Sequence, residues 1–478
     1  MLFTSIDFAV FLPIVFFLYW FVFKKNLRAQ NGLIVIASYV FYGWWDWRFL
    51  SLIVLSSLVD FFVARGLSGD APERRRKLLL GLSLAVNLGL LGFFKYFNFF
   101  LDNFVSAFSF FGVEMSVRSL NIILPAGISF YTFQTLSYTI DVYRRKLDHT
   151  QDIVAFLAYV SFFPQLVAGP IERATHLLPQ FHRPRTMDYA KSVDGLRQML
   201  WGLFKKVVIA DGCAYYANDI FAASGDHSGS TLLLGAILFT FQIYGDFSGY
   251  SDIAIGTSRL FGFDLMQNFA FPYFSRDIAE FWRRWHISLS TWFRDYLYIP
   301  LGGSRGGTWM KVRNTFIIFL VSGFWHGANW TFIVWGALNA LYFLPLLLTK
   351  RNRQNLGVVA QGKYFPSGRE ILQMGMTFGL TVIAWVFFRA ENLTHAISYL
   401  GGMFSTSLFS VPAVLPKSLM VYIVFFMVIE WLGREGAYAL QNIGGKLPVV
   451  ARWSFYYAIF IFIFLSEVPP QQFVYFQF

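Results

Sequence analysis

Long runs with almost no charge follow one another along the whole chain, and they constrain the fold more than any other feature. They cover 8–23, 30–45, 49–63, 78–94, 119–140, 153–171, 228–245, 314–325, 327–349, 371–388, 418–429 and 454–466. Asp60 interrupts the third run. A helix that crosses a bilayer needs about 20 predominantly apolar residues, so the pattern predicts an all-α integral membrane protein of roughly ten or more helices. Composition supports this: 14% of the residues are charged and 56% hydrophobic, against about 25% charged in soluble domains. An ordinary soluble protein and a disordered chain are both excluded.

Basic residues then set the topology. Lys24, Lys25 and Arg28 follow the first run, and no basic residue precedes it, so it reads as an uncleaved span with its N-terminus outside the cytoplasm. Arg74–Lys77 and Arg144–Lys146 mark further cytoplasmic loops. The run 153–171 has basic residues at both ends, including Arg173, Arg183 and Arg185. At 19 residues it cannot cross twice. A re-entrant element broken at Ala168-Gly169-Pro170 is the simplest reading. Irregular backbone at membrane depth must be buried in protein or line a cavity, so a polar cavity is expected.

The segment 276–313 holds seven basic residues, and Lys350, Arg351 and Arg353 follow. Residues 314–349 lie between, which predicts a helical hairpin or a bent helix with His326 near its middle. The net charge of +12 is assigned mainly to such loops. No basic cluster accompanies a soluble recognition fold, so nucleic acid is not an expected partner. Cys213 is the only cysteine, which excludes an intrachain disulfide and a cysteine-based metal cluster.

Seven histidines are candidates for chemistry. His149, His176, His182, His227 and His395 lie in polar settings and read as solvated surface residues. His286 and His326 are surrounded by aromatics. Residues 275–300 read as one amphipathic helix: Phe281, Trp282, Trp285, Leu289, Trp292, Phe293 and Tyr296 share a face, opposite Arg283, Arg284, Arg294 and Asp295. Either this helix lies at the cytoplasmic interface, or His286 sits at a cavity mouth where the arginines attract an anionic substrate. His326 lies in 323–330, GFWHGANW, where an imidazole inside the membrane is either a general base or an interhelical hydrogen-bonding group. Asp246, Ser248 and Asp252 in DFSGYSD follow a span and are expected to cap the next helix or to orient a substrate. The two aromatic-flanked histidines are 40 residues apart without a nearby Cys or His partner, so no metal is expected.

With these motifs in view, the chain resembles the membrane-bound O-acyltransferase (MBOAT) superfamily, and within it the bacterial alginate O-acetyltransferase branch. The resemblance is carried by PAGISFYTFQTLSYTIDVYRR (125–145), FFPQLVAGPIER (162–173) and QIYGDFSGYSDIAIG (242–256). It continues through NFAFPYFSRDIAEFWRRWHISLSTWFRDYLYIPLGGSR (268–305), GFWHGANWTFIVWGALNA (323–340) and VFFRAENL (386–393), and the closing YFQF (475–478) is similar too. It implies an MBOAT-type bundle of roughly 10–12 transmembrane helices with re-entrant segments and interfacial amphipathic helices around a central cavity. N-terminal helices (1–112), a catalytic core (113–350) and C-terminal helices (351–478) would form one membrane unit.

The resemblance implies that His326, in the WHG context, and His286, in WRRWH, are catalytic. Trp325, Asn329, Trp330, Trp285, Arg283, Arg284, Arg305, Asp246, Ser248, Tyr250 and Asp252 are the candidate substrate or tunnel residues. The implied donor is acetyl-CoA or another cytoplasmic acetyl thioester, with no resident cofactor. The implied acceptor is an extracytoplasmic polysaccharide, alginate or a similar exopolysaccharide, reached through a periplasmic SGNH-type acetyltransferase. Membrane lipid surrounds the protein in the bacterial inner membrane. Peptidoglycan O-acetylation is the alternative within this chemistry. A transporter, or a scaffold for polymer export, is the alternative of a different class: the first predicts uptake without acyl transfer, the second that changes at both histidines are harmless.

Overall fold

Caps and breakers decide where the apolar runs become helices. The computed structural model describes residues 1–69, 71–110, 119–120, 122–466 and 468–474, and its regular elements are all helical. The boundary expected at 112/113 and the closing YFQF lie outside the described residues. Among the described residues, five helices are long and apolar enough to cross a membrane: Leu27–Leu67, Glu73–Phe110, Gly229–Leu260, Trp330–Leu348 and Gly368–Arg389. Ile6–Val22 and Val449–Phe464 are shorter apolar helices. The chain is therefore an all-α, multi-pass membrane protein, several of whose apolar runs form short or interrupted helices rather than full spans.

The chain divides into two compact units, Met1–Ser192 with Thr257–Met266, and Val193–Gly256 with Gln267–Phe478. In the first, Asn26 caps the helix Leu27–Asp46 by accepting from Ala29 N, and Asp152 caps Ile153–Ser161 by accepting from Val154 N and Ala155 N. Asp60, the acid inside an apolar run, is fully buried and accepts from Ser83 Oγ, Asn87 Nδ2 and Thr139 Oγ1. Three helices are thereby tied to one carboxyl. The first unit also holds the later segment: Trp20 Nε1 donates to Leu260 O at 2.8 Å, and the Tyr19 hydroxyl donates to Phe261 O at 3.1 Å.

The run 153–171 is indeed broken, but earlier than expected. Its helix ends at Ser161, and Phe162 leaves the helical region with φ −50° and ψ 105°. Pro164 disfavours the helical conformation for the residue before it, so it acts before Ala168-Gly169-Pro170 is reached. Residues 162–173 run without regular helix and are almost wholly buried, as irregular backbone in a membrane protein must be. Buried Glu172 closes this stretch by accepting from Met266 N and pairing with His176 Nδ1 at 2.7 Å.

In the second unit, residues 314–349 form a hairpin, not a bent helix. Thr308–His326 ends at extended Gly327, and Asn329 caps Trp330–Leu348 by accepting from Thr331 N at 3.0 Å. The two helices touch backbone to backbone: a Cβ at Gly323 would strike Phe332 O, and one at Gly336 would strike Phe319 O. Small residues permit such close approach within membranes.

Residues 275–300 do not form the single helix expected. Ile278–Arg284 and Ile287–Phe293 are separate, with His286 between them at a left-handed φ of 44°. The break has a local cause. Residues 268–270 run beside it, where Asn268 O accepts from Ile287 N and Ala270 N donates to Arg284 O. The expected sidedness survives in part: Phe281, Trp285, Leu289, Trp292 and Phe293 are buried, while Trp282 and Tyr296 are half-buried. Asp246, Ser248 and Asp252 also depart from expectation: they lie inside the continuous helix Gly229–Leu260 and cap nothing.

Two outcomes test this packing. Glu172 raises the His176 pKa, chiefly through their hydrogen bond. A raised folded-state pKa gives stability that is fully present below the unfolded value of about 6.5 and is lost as pH rises through the folded one. The melting temperature should therefore fall across that window, and Glu172→Gln should flatten the dependence. Gly336→Val should cost about 3 kcal/mol, the upper end of overpacking penalties, visible as a lower melting temperature and a smaller folded fraction after extraction.

Candidate active site

The two aromatic-flanked histidines meet at one indole. His326 is the last residue of its helix, and its ring lies 4.9 Å from that of Trp325, 5.1 Å from Trp335 and 5.2 Å from Phe388. His286 lies 6.3 Å from the same Trp325 ring, with Phe247 and Phe269 each 6.0 Å away. Both imidazoles are buried, at 2% and 6% exposure for His286 and His326, whereas none of the other five histidines is. Trp285 extends the aromatic wall, packing at 5.1 Å from both Phe269 and Trp385.

His286 is held by more than apolar contact. Its Nδ1 lies 3.1 Å from Asn268 Oδ1, which also accepts from Ser288 Oγ at 2.9 Å and from Ser288 N at 3.3 Å. Asn268 Nδ2 donates to Ser251 Oγ at 3.0 Å. A left-handed conformation at a residue other than glycine costs about 1–3 kcal/mol and persists where its surroundings impose it. Burial lowers the His286 pKa from its ordinary value to about 3, which keeps the ring neutral at physiological pH.

The arginines expected to attract an anion are already engaged. Buried Glu280 pairs with Arg276 and Arg284, each at 2.9 Å. Arg284 and Arg276 also donate to Gly357 O, and Arg283 donates to Asn352 O and Asn355 O at 2.8 Å each. These guanidinium groups therefore pin the loop that follows the hairpin. Arg305 is exposed in the Gly-rich turn.

The remaining candidates divide. Trp325 stands between the histidines in the contact network. Asn329 serves its helix cap and donates to Glu391 O at 2.7 Å, and Trp330 is 52% exposed. Asp246 pairs with Lys206 at 2.7 Å and accepts from Val474 N. Ser248 Oγ donates to the Tyr244 carbonyl one turn back, and Tyr250 packs 5.6 Å from Phe473. Asp252 pairs with buried Lys205 and accepts from Gln198 Nε2 at 2.7 Å.

Asp252 leads to a buried polar group that motif reading passed over. Glu430 accepts from the Tyr244 hydroxyl at 2.6 Å and from Trp201 Nε1 at 2.8 Å. Lys205, Asp252, Glu430, Ser251 and Asn268 together line a cavity of about 10 Å³, room for about one water molecule. Glu430 had a usable signal, an acid directly after an apolar run, where ionisable groups are costly and usually functional. Asn268 had only its place as a polar residue in the aromatic stretch NFAFPYF.

Comparison with known proteins agrees with this architecture. The model for MBOAT, the membrane-bound O-acyltransferase family, matches residues 95–387. A protein of Pseudomonas putida named "Probable alginate O-acetylase" is 43% identical over 409 residues, which is 85% of this chain and 80% of that protein. A peptidoglycan O-acetyltransferase of Helicobacter pylori is 37% identical over 431 residues, 84% of this chain and 79% of its own. A teichoic acid D-alanyltransferase of Bacillus subtilis is 27% identical over 291 residues, 58% of this chain and 71% of its own. The family match covers the hairpin, the broken helix and both buried histidines, and the chain belongs to the membrane-bound O-acyltransferase family as an O-acyltransferase.

Proposed function

We propose that this protein moves an acetyl group from a cytoplasmic thioester, acetyl-CoA, across the inner membrane for O-acetylation of an extracytoplasmic polysaccharide. The observation that carries this reading is the convergence of His286 and His326 on Trp325 within an aromatic enclosure. Alginate or a similar exopolysaccharide is the acceptor favoured by the relatives' names, with peptidoglycan as the alternative. A periplasmic SGNH-type acetyltransferase is the partner that relays the group to the polymer. The reading places the chemistry in the core segment 113–350 and the N-terminus outside the cytoplasm.

His326 acts as general base. Its imidazole takes the proton of an acceptor hydroxyl, and the hydroxyl oxygen attacks the thioester carbonyl. The tetrahedral oxyanion collapses, the carbon–sulfur bond breaks, and the thiolate takes the proton back from His326. The C-terminal end of a helix carries partial negative charge, which favours the cation formed transiently on its last residue. His286 either orients the donor or stabilises the oxyanion. The rings of Trp325, Trp335 and Phe388 exclude water around His326, which limits hydrolysis of the thioester. Arg305, exposed in its Gly-rich turn, supplies positive charge for the donor's phosphates.

The test is transfer of labelled acetyl from acetyl-CoA in membrane vesicles. His326→Ala should lower transfer by at least about 10²-fold, as loss of a positioned general base does, while the protein still inserts in the membrane. Normal transfer by this variant overturns the assignment. Solute uptake by the wild type without acetyl transfer would favour a transporter instead.

A further inference from the structure

We infer that Asn268 is a positioning residue that fixes the tautomer of His286, so that His286 meets the acetyl donor through Nε2 as a hydrogen-bond acceptor. The inference rests on the acetyl-transfer reading above and selects between the two roles left open there.

The argument begins with the amide of Asn268. The backbone N–H of Ser288 points at one end of it, and a backbone N–H can only donate. That end is therefore the oxygen, and the amide orientation is set by the chain itself. The other end, Nδ2, donates to Ser251 Oγ. An amide oxygen carries no hydrogen, so the 3.1 Å contact between His286 Nδ1 and Asn268 Oδ1 requires the proton to sit on Nδ1. In a neutral imidazole, the proton on Nδ1 leaves Nε2 as the basic nitrogen.

The backbone strengthens the assignment. Asn268 O accepts from Ile287 N at 2.8 Å, so one residue holds both the main chain just after His286 and its ring. The left-handed φ of His286 is thereby tied to its ring orientation. The alternative role fails on proton count, since a neutral ring with a bare Nε2 cannot donate to an oxyanion from that atom. It can accept from an N–H or O–H of the donor, such as an amide N–H in the arm that carries a thioester.

Charged groups on the elements packed against His286 have partners of their own. Asp246 and Asp252 on the long helix pair with Lys206 and Lys205, and Arg284 pairs with Glu280. His326 follows Trp325 and is the other imidazole that must be resolved. The test therefore reads the His286 ring directly.

Full-length protein with ¹⁵N-labelled histidine rings, held in lipid bilayers, is studied by solid-state NMR, with His286→Gln assigning the signal. The wild type should show a protonated Nδ1 and a bare Nε2. Asn268→Ala should lose the fixed tautomer and raise KM for the acetyl donor by about 10-fold, as loss of one binding hydrogen bond does, with a smaller change in kcat. Asn268→Asp keeps the shape but places a carboxylate beside Nδ1–H. It should hold the imidazolium to higher pH and move the acid limb of the transfer profile upward by about one pH unit or more. An Nε2–H ring in the wild type overturns the proposal, as does Asn268→Ala with ring signals and donor KM unchanged. The wild-type spectrum needs no variant to fold and no activity to read. Absence of acetyl transfer by the wild type would remove the functional reading, while the spectrum still decides the role of Asn268.

Discussion

Two helix backbones touch at Gly323 and Gly336, and the candidate site is built around that contact. With no side chain at either position, Thr308–His326 and Trp330–Leu348 approach until carbonyl and Cα are in van der Waals range. The hairpin must then turn within a few residues, through extended Gly327 and the Asn329 cap. His326 becomes the last residue of a helix at the point of closest approach, where Trp325, Trp335 and Phe388 can all reach its ring. A wider crossing would move Trp335 away and admit water beside the imidazole.

Several buried acids among the described residues are surrounded by groups that satisfy them. Asp60 takes hydroxyl and amide donors from two neighbouring helices. Glu280 takes two guanidinium groups, Asp252 takes Lys205, and Glu430 takes Tyr244 and Trp201. Removing one partner of such a pair costs several kcal/mol because the other charge stays buried. These clusters are therefore rigid, and rigidity is what a site needs to hold two imidazoles in fixed orientations.

What the residues disclosed in advance follows the range of the forces involved. Hydrophobic runs report burial directly, so the helical membrane class, a turn or bend within 314–349 and an interruption of 153–171 were legible, though that interruption begins at Phe162 rather than at Ala168. His286 and His326 stood out because a charge-poor chain makes an aromatic-flanked histidine conspicuous. The break at His286 was not legible. The periodicity of 275–300 is helical throughout, and what divides it is the irregular segment from Asn268 to Ala270, which hydrogen-bonds on both sides of the break. Local pattern could not show that tertiary contact. The same holds for the arginines, whose alignment on one face is visible in sequence while their partners, Glu280 and the carbonyls of 352–357, depend on how a later loop returns. Lys205 and Glu430 are 225 positions apart, and only the fold brings them to one cavity.

The site thus joins two histidines in different settings. Trp325, Trp335 and Phe388 pack around His326 at the end of a helix that two glycines bring close to its neighbour. His286 is placed by polar contacts, in a backbone conformation its own sequence would not choose. Aromatic packing at the helix end suits the proposed base, which must gain and lose a proton in each turnover. Hydrogen bonding from Asn268 locates a ring and its proton together, which suits a group that orients a substrate and does not titrate. On the proposed reading the imidazole at the helix end carries the proton, and the hydrogen-bonded imidazole holds the donor in place.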